Sequence, residues 1–310
     1  MIKCLSILIP TFNDVCLPMA EELVRQARAI ADWQWEIVVA EDGSTDAESL
    51  AQNRRIATME GCRYFRREKN VGRAAVRNWL AQEACYDNLL FVDAGLSFPD
   101  AEYLSRYVQA PEAEVVCGGV AVAGKHPGNL RYLYETASQG RFMAEQRQRE
   151  PYQHFRTTNF MIRRSVMLAH PLREDMKTYG YEDVLFGKTL AQSQVSIAHI
   201  DNPVVYVCFE PNAIYINKVE ESLRTLYAYR GELQGYSPLL SVAGKLQRSR
   251  MRFLVTAFYG LFGKPMRRNL AGKHPWLCLF NPYKLGYFCT LCTSKRKKGI
   301  RKNKIMAFFS

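Results

Sequence analysis

Residues 89–95 read Leu-Leu-Phe-Val-Asp-Ala-Gly: four apolar side chains run into one carboxylate, Asp93, and then into a glycine. A short apolar run that stops at a turn signal is the pattern of a strand buried on both faces. Such a strand delivers an acid to the edge of a sheet. An acid that holds a metal and a phosphate calls for a second carboxylate nearby, and position 95 is Gly95. The stretch therefore raises a question, whether Asp93 is half of a metal site or belongs to a site that has given up its metal; the plain alternative is that every strand must stop, and a polar residue often ends it.

Outward from this strand the pattern repeats. Residues 6–9, 36–40 and 62–65 read as strands, and 17–31, 47–58 and 72–84 as helices. Leu23, Ala27 and Ile30 make a single stripe on the first of these helices. Pro99 and Asp100 open another helix, and 115–122 is β-rich and interrupted by glycine. The alternation predicts an α/β chain with a mostly parallel sheet flanked by helices. Ligands of such sheets bind beyond the carboxyl ends of the strands. Polar residues collect there: Thr11 and Asn13 after the first strand, Asp42 after the second, Asp93 after the fourth. Further on, 129–146, 181–192, 211–230 and 237–262 read as helices, and 157–162, 195–200 and 204–207 as strands.

The chain has 310 residues, enough for one large α/β domain and an appendage; 48% are apolar and 23% charged, so a packed core is expected. Nine cysteines are scattered along it, and only Cys289 and Cys292 form a C-x-x-C, without the further ligands zinc needs. The odd count, with an opening MIKCLSILI too short for a secretory signal, suits a reducing, cytoplasmic compartment. The net charge of +12 is uneven: no Asp or Glu follows Glu232, and 16 of the 42 Lys and Arg lie from Lys245 onward.

Five motifs in order, SILIPTFN (6–13), VVAEDGSTD (38–46), NVGRAAVRN (70–78), LLFVDAG (89–95) and YGYEDVLFGKTL (179–190), resemble the inverting glycosyltransferases of family 2. The similarity covers roughly residues 4–230, leaving 231–310 as a basic, aromatic-rich, helical extension. The resemblance implies the GT-A fold in residues 1–230 and transfer of a sugar from a nucleotide-diphosphate donor. It places Pro10, Thr11 and Asn13 at the nucleotide; the plainer reading of that stretch is a strand-ending turn. Asp42 would accept from a nucleobase ring N–H, while Ser44 or Thr45 caps the next helix. Gly72 opens a helix whose N-terminus would favour an anion. Arg77 matches the family's Ala-Arg-Asn element, with Val76 in place of the usual alanine, and Asn70 and Asn78 fit the same pattern, while Arg73 and Arg77 also read as solvated helix arginines. Asn159, in TTNFMIRR (157–164), fits an acceptor-side strand or a structural one. Glu182 and Asp183 match the catalytic Glu-Asp element, with Asp183 as the general base, held ionised at a helix N-terminus. An acid pair also simply favours a helix start.

Two departures fall on one function. The family's Asp-x-Asp supports a divalent cation, Mn2+ or Mg2+, and here it is Asp93-Ala94-Gly95. After residues 199–204, where relatives place a metal-shell histidine, this chain has Tyr206 and no histidine. Asp93, diphosphate oxygens and water would hold a metal more weakly, with Glu41 and Glu210 as further candidates. Cationic help for the leaving diphosphate would come from Arg73, Arg77, Lys125, Arg163 or Arg164.

The extension carries MRFLVTAFYGLFG (251–263), 13 residues where a spanning helix needs about 20. An aromatic-rich stretch (274–292) and KRKKGIRKNK (295–304) follow. Aromatic segments flanked by Lys and Arg suit the interface of an anionic bilayer. The tail is expected on the inner face of the cell membrane, presenting the enzyme to a saccharide or lipid-linked saccharide acceptor in cell-surface polysaccharide assembly. RNA binding is the less favoured use of the same charges, since no RNA-binding motif accompanies them; a solvated end is the plain one. The alternative for the whole chain is a catalytically weak nucleotide-sugar-binding protein.

Overall fold

A computed structural model describes residues 2–306, apart from the side chains of 141–142 and of 294–306. The side chains of the basic run 295–304 thus lie outside the described residues. The chain divides into two compact units.

The first unit holds residues 1–124, 135–177 and 182–208. Its strands are β1 (Cys4–Thr11), β2 (Gln34–Asp42), β3 (Cys62–Arg67), β4 (Asn88–Val92), β5 (Val115–Cys117), β6 (Val120–Val122), β7 (Asn159–Arg163), β8 (Ile197–His199) and β9 (Val204–Tyr206). Seven form one sheet in the order β3-β2-β1-β4-β7-β5-β8, with β7 alone antiparallel to its neighbours, and β6 pairs with β9 in a second, parallel pair. Ile7, Leu8, Ile9, Ile37, Val38, Val39 and Leu89 to Val92 are fully buried. Alternate side chains of β1 go to opposite faces, as a pleat requires. Ile7 and Ile9 pack with Leu23 of α1 (Leu17–Ala29) and Leu104 of α4 (Tyr103–Val108). Leu8 packs on the other face with Leu80 of α3 (Arg73–Glu83), Met167 of α7 (Arg164–Ala169) and Leu190 of α8 (Glu182–Gln192). A short α2 (Ala47–Asn53) follows β2.

Strand order reverses between β1 and β4, so the crevice beyond their carboxyl ends is the topological switch point. Thr11 and Asp93 both lie at that opening.

Two sequence expectations are corrected. The single helix over 129–146 is instead α5 (Leu130–Ser138), a 3-10 turn (Gln139–Phe142) and α6 (Ala144–Arg149). The single helix over 237–262 is α10 (Pro238–Arg248) and α11 (Arg252–Leu270), broken where Arg250 takes φ +58°. Positive φ cannot continue a right-handed helix.

The second unit holds residues 125–134, 178–181 and 209–310, with α9 (Asn212–Ala228), α10, α11 and α12 (Phe280–Met306). Gly286 lets α12 meet Tyr259 of α11: a Cβ there would lie 2.4 Å from the Tyr259 ring. Tyr283 and Arg267 both bond Glu220 of α9, at 2.6 and 2.8 Å. Glu210 is held by Arg131 and Lys218, which occupies it within this unit. Among the described residues no helix is long and apolar enough to cross a membrane.

Candidate active site

The loop after β1 is clamped from several sides. The Asn13 side-chain oxygen accepts from the Thr45 and Asp46 amides at 2.7 and 3.0 Å, and the Asn13 amide donates to the Ser44 hydroxyl at 2.9 Å. Thr11 donates to the Asp14 carbonyl at 3.2 Å, and Asn53 donates to the same oxygen at 2.9 Å. Pro10 precedes them at the end of β1. Glu41, weighed as a metal ligand, is fully buried and takes hydrogen bonds from Asn53 and Ser44. It is a structural acid that braces the loop.

Asp42, also buried, accepts from the Val71 and Gly72 amides, each at 3.0 Å, one on each carboxylate oxygen. It fastens the entry to α3. Gly43 turns the chain at φ +72° so tightly against Asn70 that a Cβ would sit 2.2 Å from the Asn70 nitrogen. Gly72 takes φ +97° at the N-cap of α3, in open space.

The guanidinium of Arg77, 5% exposed, donates to the Arg73 carbonyl at 2.9 Å and forms an ion pair with Asp93. One turn earlier, Arg73 reaches Glu182 at 3.7 Å. The acids of three distant motifs therefore meet one element. Asp42 holds the backbone that enters α3, Glu182 pairs with its first residue, and Asp93 pairs with its fifth. Two buried polar atoms on this line, Arg77 Nε and Glu182 Oε2, have no hydrogen-bond partner among the described residues. Buried unsatisfied groups are rare, and functional sites are one place that keeps them.

Asp183 follows Glu182 in the first turn of α8, after Gly180 and Tyr181, both at positive φ. Burial, and then the neighbouring Glu182, push its carboxyl up to about 6, while Arg156 pulls it down. The helix N-terminus was expected to keep this acid firmly ionised; desolvation and a like charge outweigh it. A carboxyl that titrates near 6 suits a general base at neutral pH.

Other expectations resolve differently. Asn159 is buried and spends its whole amide internally. Its oxygen accepts from the Tyr103 and Tyr107 hydroxyls, both at 2.7 Å, and its nitrogen donates to the Gly119 and Asn202 carbonyls at 2.8 and 2.9 Å. That leaves it no free group for a sugar or phosphate, and corrects its reading as a ligand residue. Asn78 likewise clasps Leu172 and Glu174. Arg164 donates to the Ala81 and Gln82 carbonyls at the end of α3, which removes it from the diphosphate candidates. His199, the nearest histidine in sequence to the expected metal-shell position, is held by Arg147 and the Pro151 carbonyl and pushed down to about 4 by burial. It is a neutral structural group.

Asp14 and Arg156 were missed as site residues. A Cβ built on Gly95 would lie 3.4 to 3.6 Å from all three atoms of the Asp14 carboxylate. Asp14 thus brings an acid to the place where the side chain of residue 95 would begin. Gly95 itself has φ +73°, which disfavours any side chain. Asp93, one oxygen of which pairs with Arg77, and the exposed Asp14 are hard oxygen donors of the kind Mg2+ or Mn2+ takes. No group of three or more His, Cys, Asp or Glu gathers among the described residues, so the remaining ligands would come from diphosphate and water.

Residues 6–169 match the family model described as glycosyl transferase family 2. No curated protein matches the chain. Among solved structures, the mannosyltransferase PcManGT from Pyrobaculum calidifontis, in complex with GDP-Man and Mn2+, is 13% identical with a TM-score of 0.54. The match covers 94% of this chain and 86% of that one. S. aureus TarS 1-349 in complex with UDP-GlcNAc is 15% identical with a TM-score of 0.49, covering 96% and 92%. At such identities the likeness to PcManGT is one of fold.

Proposed function

The chain belongs to glycosyl transferase family 2, and from that premise we propose that this glycosyltransferase of GT-A fold moves a hexosyl or N-acetylhexosaminyl group, with inversion, from a nucleoside-diphosphate donor to a saccharide or lipid-linked saccharide hydroxyl. Its setting is cell-surface polysaccharide assembly at the inner face of the membrane. The observation that carries the reading is the meeting of Asp42, Asp93 and Glu182, the neighbour of Asp183, on the first turns of α3.

In this reading Thr11, Asn13, Asn70 and Asp42 border the nucleotide. Asp183 takes the proton of the acceptor hydroxyl as that oxygen bonds to the anomeric carbon. The bond to the diphosphate breaks on the opposite face, so one displacement inverts the centre and nucleoside diphosphate leaves. Arg73 and Arg77 bring positive charge to the side where negative charge develops. PcManGT is recorded with GDP-Man and Mn2+. Carried over as a class, a divalent cation would be held by Asp93 and Asp14. When bound it balances charge on the diphosphate.

The test is a thermal-shift panel of nucleotide-sugars followed by assay of nucleoside-diphosphate release. A donor that binds the native state raises its stability. A specific stabilising donor that is turned over supports the reading; no stabilisation by any of them removes it. The Asp93–Arg77 ion pair, with Gly95 beside it, favours one other reading, a donor-binding protein with weak turnover. A stabilising donor without release selects that one.

A further inference from the structure

We propose that the exposed face of α11 is the insertion surface for an anionic lipid bilayer, lying in the plane of the membrane. This deepens the membrane placement proposed above and rests on it.

α11 is apolar on two sides. On one, Gly263, Met266 and Leu270 are buried, and Tyr259 packs against Tyr283 and Tyr287 of α12. The other carries Leu254, Phe258, Leu261 and Phe262, at i, i+4, i+7 and i+8, and these are 51, 48, 74 and 48% exposed. That spacing keeps them on one stripe. The Phe258 and Phe262 rings lie 4.8 Å apart, and Met251 and Phe253 continue the exposed apolar surface at the start of the helix. A contiguous bare apolar patch of this kind marks an interaction surface.

Charge chooses the occupant. Exposed Lys245, Arg248 and Arg250 precede the patch, and exposed Lys264 and Arg268 follow its last ring. No Asp or Glu occurs in the chain beyond Glu232. Two copies joined by this face would bring those cations together, and like charges in an interface are costly. Anionic headgroups neutralise the cations while acyl chains receive the rings. The twelve residues from Met251 to Phe262 rise about 18 Å as helix, short of a bilayer core of about 30 Å. The face therefore lies on the membrane rather than through it.

The test is flotation of the full chain with phosphatidylcholine vesicles, with and without phosphatidylglycerol, for wild type and for Phe258→Glu/Leu261→Glu. The wild type is expected to float with the anionic vesicles. The double variant is expected to lose at least about tenfold in partitioning, with circular dichroism, melting and nucleoside-diphosphate release unchanged. A double variant that floats like wild type overturns the assignment to α11 and leaves the membrane placement standing on the rest of the tail. A wild type that binds neither vesicle overturns both. A wild-type dimer that the double variant abolishes gives the face to a second copy and also overturns the assignment. None of these outcomes touches the glycosyltransferase reading, which donor turnover reports separately.

Discussion

At Asp183 two effects point against the helix dipole, and they set how activity and stability depend on pH. The rate of transfer should rise with pH through an apparent value near 6 and then level off, because only the ionised acid takes a proton. Arg156 holds that value down, so Arg156→Gln should move the rising limb to higher pH; an unmoved limb would detach Arg156 from the base. The sign for folding is opposite. A carboxyl raised in the folded state contributes stability below its unfolded value near 4, and this is lost as pH rises through 6. Asp183→Asn should therefore melt higher than wild type at pH 8, by on the order of 1–2 kcal/mol, with the gain gone at pH 4. Asp14 invites a different measurement. Mn2+ titrated with UDP or GDP, followed by the electron paramagnetic resonance of free Mn2+, should bind more weakly to Asp14→Asn and to Asp93→Asn. Equal affinity in Asp14→Asn would return position 95 to a plain gap. Asp14 was open to discovery in the sequence only as the acid beside Asn13, because the approach of that loop to Gly95 is a tertiary fact.

The element on which the site turns is α3. Its beginning was legible: Gly72 before Arg-Ala-Ala reads as a helix start, and the motif around it placed Arg77. Its partners were not, since Asp93, Asp42 and Glu182 reach it from 16, 30 and 109 residues away along the chain. For Asn78, Asn159 and Arg164, residue type and motif suggested ligands where the fold needed clasps. A buried amide or guanidinium satisfying several carbonyls looks in sequence like one that faces a substrate. Two glycines separate the entry to α3 into its physical parts. Gly72→Ala meets only the strain of φ +97° in open space, and should cost about 1–2 kcal/mol. Gly43→Ala adds a collision with the Asn70 backbone, and should cost more than about 3 kcal/mol with weakened donor binding. Equal melting temperatures for the two variants would contradict this account of the turn.

Over the whole chain, the alternation of strands and helices identified the mostly parallel sheet, and apolar runs such as residues 6–9 and 89–92 identified its central strands. The antiparallel β7 was not legible, because strand direction is set by the preceding connection rather than by composition. The break between α10 and α11 was missed for a related reason: Arg250 is not a residue that announces a positive φ. The central claim is chemical: Asp183, brought to the α3 site through its neighbour Glu182, accepts the proton that lets the sugar move. Its most direct test pairs donor binding by calorimetry with nucleoside-diphosphate release, for wild type and Asp183→Asn, using the donor the thermal-shift panel selects. The account predicts donor affinity kept within a few-fold and release lowered by about two orders of magnitude or more. Release at the wild-type rate from Asp183→Asn would contradict it.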